Sequence, residues 1–597
     1  MIVGTLLVLL TWMLGLIAVI TIGLAVTRLV SRTTRSTPID LAGIRVALWW
    51  GLAFTVIVIL FTNLGFPLAS AGAAGVIGIV FLLAAAFLLI RPAHISLPRQ
   101  GSGNRGSRTW AFIATYVALA GAVIYLAFAA LGPVTNYDSG LYHLGAIRYA
   151  ADYSTISGLA NLYFPLGYNT SLYPFAAFLG NGPWGVEGYR LANGFIATLV
   201  VLDLILRLVC SRGKLRRLSG GSWILLIATF IGLVPLVALS DYWVTSPSSD
   251  APVMMLTFVA SAYLADGIFR SRNRARDLTT SFIVSVILFS LRPTMAVFLV
   301  GVTLVIATLL IRRRTPTTGN VQTPLFVAAA VLGAIMLGVQ SIRDYFLSGW
   351  LQYPLSLFSF ATPWTATDPV WNRTATLGNA RNPADIWGSV DGYSWVGAWV
   401  SRLPSQWETY LLFALVGVLI TVFIVNRRSH TTIRWRALAL AVFPSALASV
   451  AWFLFSPPSF RFGWGPVFSL LIIPVSFGIY LMAQQGQRTN NKNWIPPIAV
   501  GLLTVGLLGV IAYSGVFRLA PLMRPQPAQW EMGSVAVTYQ ATPVVAVPVQ
   551  PTVLSSGLEI LVPLESDQCW ENFPLCTPII SESVRLQGDT IQQGFLP

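Results

Sequence analysis

Long apolar segments recur along the whole chain and constrain its fold more strongly than any other feature of the sequence. A helix needs about 20 apolar residues to cross the hydrocarbon core of a bilayer. Only 10% of the 597 residues are charged, whereas soluble domains have about a quarter charged residues. We therefore predict an all-α polytopic membrane protein with about 14 transmembrane helices. The predicted spans are residues 2–29, 41–63, 72–90, 110–132, 191–210, 222–240, 251–268, 279–291, 293–311, 324–341, 407–425, 436–455, 464–483 and 495–516.

The distribution of arginine predicts the orientation of the spans. Most Arg residues stand in short loops, so the formal net charge of +16 does not indicate a nucleic-acid partner. The decisive region is 279–311, where Arg292-Pro293 interrupts an apolar run. If Arg292 is the apex of a helical hairpin, all basic loops lie on one side, which the positive-inside rule assigns to the cytoplasm. This interpretation places both termini outside.

Three long segments then face outward: 133–190, 342–406 and 517–597. The first two are rich in Trp, Tyr, Pro, Gly and Asn, which suits the headgroup region and contacts with sugars or lipids. The third mixes Pro with β-branched runs and predicts a small extracytoplasmic domain of mixed or β character. Its Cys569 and Cys576 are candidates for a disulfide, because an outward tail meets oxidising conditions.

Acidic residues are few on the predicted outer side, and ionisable groups at a membrane boundary suggest function. Asp138 follows the fourth span in NYDSGLYHLGAIRYAADY, where it could be a functional acid or a helix cap. Tyr142 and His143 follow closely, but Asp138 and His143 point apart on a helix, so joint metal ligation is not expected unless Asp138 precedes the helix. Asp241 and Asp250, in SDYWVTSPSSD, could position an acceptor or a divalent cation, and Asp250 could be an ordinary cap.

Three arginines near the outer ends of predicted spans are candidates for binding a lipid phosphate. Arg292 stands at the hairpin apex, Arg343 in QSIRDYFLSG and Arg461 in FSPPSFRFGWG. A guanidinium grips phosphate through its planar fork of N–H donors. The alternative is that these side chains only anchor span ends in the headgroup layer.

Five segments resemble parts of bacterial polytopic proteins with the glycosyltransferase C fold, which are distant relatives of the protein O-mannosyltransferases and aminoarabinose transferases. The resemblance covers most of the chain after residue 110. The segments that carry it are NYDSGLYHLGAIRYAADYSTISGLANLYFPLGYNTSLYP, VTSPSSDAPV, RDYFLSGWLQYPLSLFSF, SPPSFRFGWG and CWENFPLC.

The resemblance implies a transferase in a bacterial cytoplasmic membrane, with residues 1–109 as an N-terminal three-helix addition, 110–516 as the membrane core and 517–597 as the outer domain. It implies a polyprenyl-phosphate-linked sugar donor, a glycan, protein or lipid acceptor, and Asp138 as the general base. Many relatives have a second acid beside this Asp, but here Ser139 follows. Asp241 or Asp250 would then be the second acid, and a divalent cation is possible without being required.

Two other functions fit the same sequence. A transporter or flippase could use the broken helices of 279–311, although no internal repeat is evident. A non-catalytic scaffold of an envelope pathway is the other alternative. Convergence of Asp138, Arg292 and Arg461 on one outer cavity is the observation expected of the transferase.

Overall fold

The computed structural model describes residues 1–31, 40–91, 110–211, 214–270, 273–311, 323–355, 357–428, 434–488, 495–532 and 535–597. Helices dominate it. The α-helices are α1 (Ile2–Ser31), α2 (Leu41–Gly65), α3 (Ala71–Ile90), α4 (Trp110–Ala129), α5 (Leu144–Asp152), α6 (Leu159–Leu162), α7 (Leu172–Phe178), α8 (Ala192–Cys210), α9 (Gly220–Ala238), α10 (Ser240–Trp243), α11 (Asp250–Phe269), α12 (Arg274–Leu291), α13 (Ala296–Ile311), α14 (Thr323–Ser348), α15 (Val370–Arg381), α16 (Trp395–Ser401), α17 (Trp407–Arg428), α18 (Trp435–Phe455), α19 (Phe460–Arg488), α20 (Ile495–Tyr513) and α21 (Ala520–Leu522).

Within the described residues, 13 helices are long and apolar enough to cross a membrane, so the chain is a multi-pass membrane protein. The eighth predicted span, 279–291, belongs to α12, which is not one of the 13. Charged residues in its first turns, including Arg274 and Asp277, and a series of Ser and Thr lower its hydropathy. Most of the predicted basic loops lie wholly or partly outside the described residues.

The break predicted at Arg292-Pro293 is confirmed. Arg292 is extended, with φ −153° and ψ 112°, between α12 and a 3₁₀ turn over Pro293–Met295 that leads into α13. Gln340, near the end of α14, donates to the carbonyl oxygen of Ser290 at 3.4 Å, so α12 and α14 end at the same face of the bundle. Because α14 must start from the opposite face, α13 is the returning arm of a hairpin.

Two faces of the bundle are marked by the two ends of α11. Asp250 begins this helix and Asp266 lies in its last turn, about 24 Å further along the axis at 1.5 Å per residue. We call these ends the Asp138 face, which includes Asp250, and the Asp203 face, which includes Asp266. At the Asp203 face, Arg207 bonds Asp203 at 2.9 Å and Asp266 at 2.6 Å.

The helices differ in how far they are enclosed. In the most apolar parts of α9 and α11, 89% of the residues are buried. In those of α17, α18 and α20 only 22% are buried, so these helices present broad apolar surfaces. Helix α2 is also interior, since it packs against α8, α12 and α14, and Trp49 donates its indole N–H to Asp203 at 2.7 Å. Helix α3 is peripheral.

The long loop 342–406 and the C-terminal region add small antiparallel two-stranded sheets, and short helical turns stand between the longer helices. The predicted disulfide is confirmed between Cys569 and Cys576, whose Cα atoms are 5.9 Å apart. The amino group of Met1 bonds the side chain of Gln540 at 3.0 Å, so both terminal regions lie at one face. The strand pairs are β1 (Trp350–Gln352) with β2 (Leu357–Ser359), β3 (Gln526–Met532) with β4 (Val535–Ala541), β5 (Val549–Val553) with β6 (Glu559–Pro563), and β7 (Arg585–Leu586) with β8 (Phe595–Leu596).

The remaining turns are tighter or wider than an α-helix. The 3₁₀ segments are Phe164–Gly167, Gly185–Leu191, Leu215–Arg217, Pro293–Met295, Leu403–Ser405 and Ile591–Gln593, and the π-helical segments are Ser139–His143 and Ser514–Leu519.

Candidate functional site

Asp138 stands at the start of a π-helical turn, Ser139–His143, between α4 and α5. The buried side chain of Asn136 accepts a hydrogen bond from the Asp138 backbone N–H at 2.9 Å and so fixes the turn. The Asp138 carboxylate makes no capping hydrogen bond, so it does not serve as the helix cap that its residue type allows. Its Oδ2 instead accepts from Nη1 of Arg461 at 3.1 Å, and the side chain remains 24% exposed.

Arg461 lies in the first turn of α19, directly after a Pro-Pro-Ser segment that ends at Ser459. Its guanidinium carbon is 4.8 Å from the centre of the Phe462 ring, and that of Arg292 is 5.2 Å from the same ring. Cations are attracted to the faces of aromatic rings. Phe462 therefore helps to hold the two positive groups near each other, although they come from different helices.

Asp250, the first residue of α11, is the partner of Arg292. Its Oδ1 accepts from Nη2 of Arg292, and its Oδ2 accepts from the Ser248 hydroxyl at 3.0 Å. The same Nη2 also donates to the Ser249 hydroxyl at 3.1 Å. Nη1 of Arg292 is buried and has no hydrogen-bond partner among the described residues. The guanidinium at the hairpin apex thus keeps N–H groups that are not bonded to any described residue.

These two ion pairs form one group, which we call the Asp138 cluster: Asp138, Asp250, Arg292 and Arg461. Besides the shared Phe462 ring, the negative charges of both Asp250 and Asp138 act on the Arg461 guanidinium. The cluster carries two negative and two positive formal charges. A charged ligand that replaced one partner of an ion pair could therefore pair with the remaining partner, whose charge is opposite to that of the ligand.

Tyr142 and His143 are enclosed beside the cluster. Burial raises the pKa of the Tyr142 hydroxyl well above its ordinary value, and Tyr173 and Asp138 add to this increase while Arg461 opposes it. Burial lowers the pKa of His143 to about 4, against the smaller opposing effects of Asp138 and Asp250. Nδ1 of His143 lies 3.4 Å from the Ser139 hydroxyl. His143 is thus uncharged near neutral pH and acts as a packing and hydrogen-bonding residue.

Tyr242 is a member of the site that the sequence reasoning missed. The Arg461 guanidinium lies close to its hydroxyl, and although burial raises the pKa of Tyr242, the charge of Arg461 opposes that increase. The feature of the sequence that could have indicated Tyr242 is its position beside Asp241, in a predicted outer turn rich in polar residues. No group of three or more His, Cys, Asp or Glu residues that could hold a metal ion occurs in the described part of the chain.

Asp241 and Arg343 lie outside the cluster. Asp241 is fully buried and accepts two hydrogen bonds from Arg518, both 3.0 Å, and one from Thr135 at 2.8 Å. It therefore fastens the end of α20 to the α10 turn. Arg343 lies near the end of α14 and bonds Asn63 of α2 and the segment 153–171.

The C-terminal region packs directly against the Asp138 turn. The backbone N–H of Trp570 donates to the Gly140 carbonyl at 2.9 Å, and a Cβ at position 140 would lie 2.4 Å from the Trp570 ring. Glycine is thus needed here for close approach. Tyr137 bonds Asp567, and Phe573 lies 4.7 Å from the Tyr149 ring. The disulfide loop 569–576 consequently packs against the Asp138 turn and α5.

These features define a class of protein: a multi-pass membrane protein with a partly exposed cluster of paired Asp and Arg residues at one end of its helical bundle. The family model described as "Domain of unknown function (DUF8201)" matches residues 5–468, which is most of the chain, and the protein belongs to that family. The match includes most of the first three helices and the predicted core as far as residue 468. Comparison with curated proteins gave no significant match, and comparison with solved structures gave none.

Proposed function

We propose that the protein is a membrane glycosyltransferase with a glycosyltransferase C-like fold, which moves a sugar from a polyprenyl-phosphate donor to an acceptor hydroxyl at the Asp138 face. The observation that carries this proposal is that Arg461, which pairs with Asp138, shares the Phe462 ring with Arg292. A transferase of this type needs a proton acceptor for the incoming hydroxyl and positive charge for the departing phosphate. The cluster offers both within one group of contacts.

In the proposed reaction, the Asp138 carboxylate accepts the proton of the acceptor hydroxyl. The hydroxyl oxygen forms a bond to the anomeric carbon of the sugar, and the bond from that carbon to the phosphate oxygen breaks. The electron pair leaves with the polyprenyl phosphate, whose negative charge Arg461 and Arg292 stabilise. Arg461 is 32% exposed at its side chain, so it can turn from Asp138 toward an incoming phosphate.

The location that goes with this reaction is the outer face of a bacterial cytoplasmic membrane. The basic residues Arg28, Arg45, Arg270 and Arg276 all belong to the end of the bundle opposite Asp138, which supports a cytoplasmic assignment for that end. Both terminal regions and the disulfide would then lie outside, where disulfides persist.

The proposal is tested with purified protein in lipid vesicles that contain polyprenyl-phosphate monosaccharides. Release of free polyprenyl phosphate is measured with a panel of glycan, peptide and lipid acceptors. We expect Asp138→Asn to abolish release and Asp152→Asn, an exposed acid on the neighbouring helix α5, to leave it unchanged. Full activity of the Asp138→Asn protein would overturn the assignment of the base.

The same vesicles distinguish the transporter alternative. A flippase would move the lipid-linked sugar between leaflets of sealed vesicles and leave the sugar–phosphate bond intact. Movement without cleavage, unaffected by Asp138→Asn, would replace the transferase proposal.

A further inference from the structure

Two contacts with the C-terminal region hold the backbone around Asp138, one on each side of it in the sequence. Before Asp138, the carbonyl oxygen of Tyr137 accepts a hydrogen bond from Nε2 of Gln568 at 2.7 Å. After it, the carbonyl oxygen of Gly140 accepts from the backbone N–H of Trp570 at 2.9 Å. The chain at Asp138 is thus fixed from outside by two residues that are near neighbours in the C-terminal region.

The helical bundle holds the buried side of the same turn. The Ser139 side chain is fully buried, and its hydroxyl lies 2.7 Å from the Ser246 hydroxyl. The Asn136 side chain accepts from the Asp138 N–H. The Asp138 carboxylate is partly exposed and pairs with Arg461. Its direction therefore depends on the backbone of the turn, which the bundle and the C-terminal region hold from opposite sides.

The disulfide between Cys569 and Cys576 closes the outer contact segment into a loop. The far end of this loop is also attached. The backbone N–H of Leu575 donates to the Tyr149 hydroxyl of α5 at 3.1 Å. The Leu575 carbonyl oxygen accepts from the backbone N–H of Leu561 in β6 at 3.0 Å. The loop therefore joins the β5–β6 sheet to the helix that follows the Asp138 turn.

Two residues of the loop have backbone conformations that their side chains disfavour. Trp570 has a φ of 49° and Leu575 has a φ of 65°, in the left-handed region where glycine is the usual residue. Such conformations persist only where the surrounding structure imposes them. Once the covalent closure is opened, the chain can relax at both positions. Relaxation at Trp570 would weaken its bond to Gly140.

We propose that the disulfide-closed loop positions the Asp138 carboxylate, with Gln568 and Trp570 as the positioning residues. An opened loop would let the exposed side of the Asp138 turn shift, while the bundle still holds the buried side. The consequence for catalysis rests on the proposed function, because a general base must lie within hydrogen-bond reach of the proton that it accepts. The coupling of the loop to the turn does not depend on that function.

Hydrogen exchange of the full-length protein in detergent, measured by mass spectrometry, tests this coupling without any substrate. Cys210 is the third of the three cysteines and is exposed, so Cys210→Ser is the background in which a reductant acts only on Cys569 and Cys576. The folded protein is reduced with dithiothreitol. We expect exchange in residues 137–144 to become about tenfold faster or more, as local opening becomes easier, and exchange in β3 and β4 to stay unchanged.

Reduction of protein that has already folded makes the result independent of whether Cys→Ser variants fold. Complete reduction is verified by alkylation of both thiols. Unchanged exchange in residues 137–144 after complete reduction would overturn the proposal. Equal acceleration in β3 and β4 would overturn it as well, because the disulfide would then act on the C-terminal region as a whole.

The transfer assay tests whether the position of the turn matters for catalysis. Gln568→Ala removes the bond to the Tyr137 carbonyl. It should lower kcat about tenfold or more and leave KM within about twofold, because a misplaced catalytic group slows the reaction of bound substrate. Gln592→Ala is the matched control. Gln592 is another glutamine of the C-terminal region, and its Nε2 bonds the Ser154 hydroxyl at 2.7 Å, beyond the end of α5, so its loss should change neither quantity.

The indole of Trp570 is tested by a conservative variant beside a severe one. Trp570→Ala removes the ring that packs on Gly140, whereas Trp570→Phe keeps an aromatic ring there. We expect kcat to fall about tenfold in the first variant and to be largely retained in the second. Unchanged kcat in both Gln568→Ala and Trp570→Ala, or an equal loss in Gln592→Ala, would show that the loop is only a structural tie.

Failure of this proposal and failure of the proposed function give different results. Absence of transfer by the wild-type protein would remove the assignment of Asp138 as the base, and the exchange experiment would still decide whether the loop holds the turn. Unchanged exchange together with normal transfer would remove the positioning role of the loop and leave the transferase proposal standing.

Discussion

The two faces of the bundle each hold paired Asp and Arg residues, but in opposite environments. At the Asp138 face, the Asp138 and Arg461 side chains are 24% and 32% exposed. At the Asp203 face, the Asp203 and Arg207 side chains are fully enclosed and Asp266 is 3% exposed. The same residue types thus make an accessible pair, Asp138 with Arg461, at one end and a sealed group at the other.

Enclosure determines what each group can do. A sealed ion pair is expensive to break, because removing one partner leaves a buried charge without compensation. An exposed pair contributes little to stability, and its partners can separate for a ligand. The contrast predicts that variants of the sealed Asp203 pairs affect folding and that variants of the exposed Asp138–Arg461 pair affect reaction or binding.

The largest expected effect is on stability at the Asp203 face. Arg207→Met removes the guanidinium that bonds both Asp203 and Asp266. It leaves Asp203 with Arg45 at 3.7 Å and the Trp49 indole N–H at 2.7 Å. We expect a loss of about 3–5 kcal/mol in the free energy of unfolding, the range for breaking a buried pair. Chemical denaturation in detergent micelles measures it. Stability equal to wild type would show that water reaches this group.

Arg518→Gln tests an intermediate case. Arg518 is 42% exposed at its side chain, but its partner Asp241 is 1% exposed. The substitution leaves Asp241 with its hydrogen bond from Thr135. Leaving a buried acceptor partly unsatisfied costs about 1–3 kcal/mol. The same denaturation measurement should place this variant between Arg207→Met and wild type, and a larger loss than that of Arg207→Met would reverse the proposed order.

His143 should make stability depend on pH. Its pKa is about 4 in the folded protein, and an unfolded His has a pKa of about 6.5. Below pH 6.5 the unfolded state binds more protons, so stability falls as the pH is lowered toward 4, by up to about 1.4 kcal/mol per pH unit from this residue. Unfolding at pH 7 and pH 5 should show a smaller pH-dependent loss for His143→Gln. An identical loss would mean that other groups carry the effect.

The sequence predicted the helices and the hairpin well because long apolar segments and charge position act locally. The break at Arg292 followed from proline and the side that each basic loop must face. The convergence of Asp138 with Arg461 depends on contacts between residues separated by 323 positions, which hydropathy does not encode.

The partners of the other acids could not be predicted from the sequence for the same reason. Asp241 looked as available as Asp250 in the sequence, yet Arg518 occupies it, and the predicted phosphate ligand Arg343 bonds Asn63 and the segment 153–171 instead. Tyr242 and Phe462 were missed because aromatic residues are frequent at every span end. Residue type and spacing identified the candidate residues, but the three-dimensional packing determines which of them belong to the Asp138 cluster.

Compared with the three variants above, Asp138→Asn is expected to have the smallest effect on stability. This variant is also the most informative about function. The pair with Arg461 is partly exposed, and Arg461 keeps its contact with Phe462, so the loss should be below about 1 kcal/mol. Transfer should nevertheless fall about 100-fold or more if the carboxylate is the base. Asp152→Asn, which alters an exposed Asp–Arg pair within α5, should change neither quantity. A large loss of stability in Asp138→Asn would place this pair with the sealed one at the Asp203 face and remove the distinction between them.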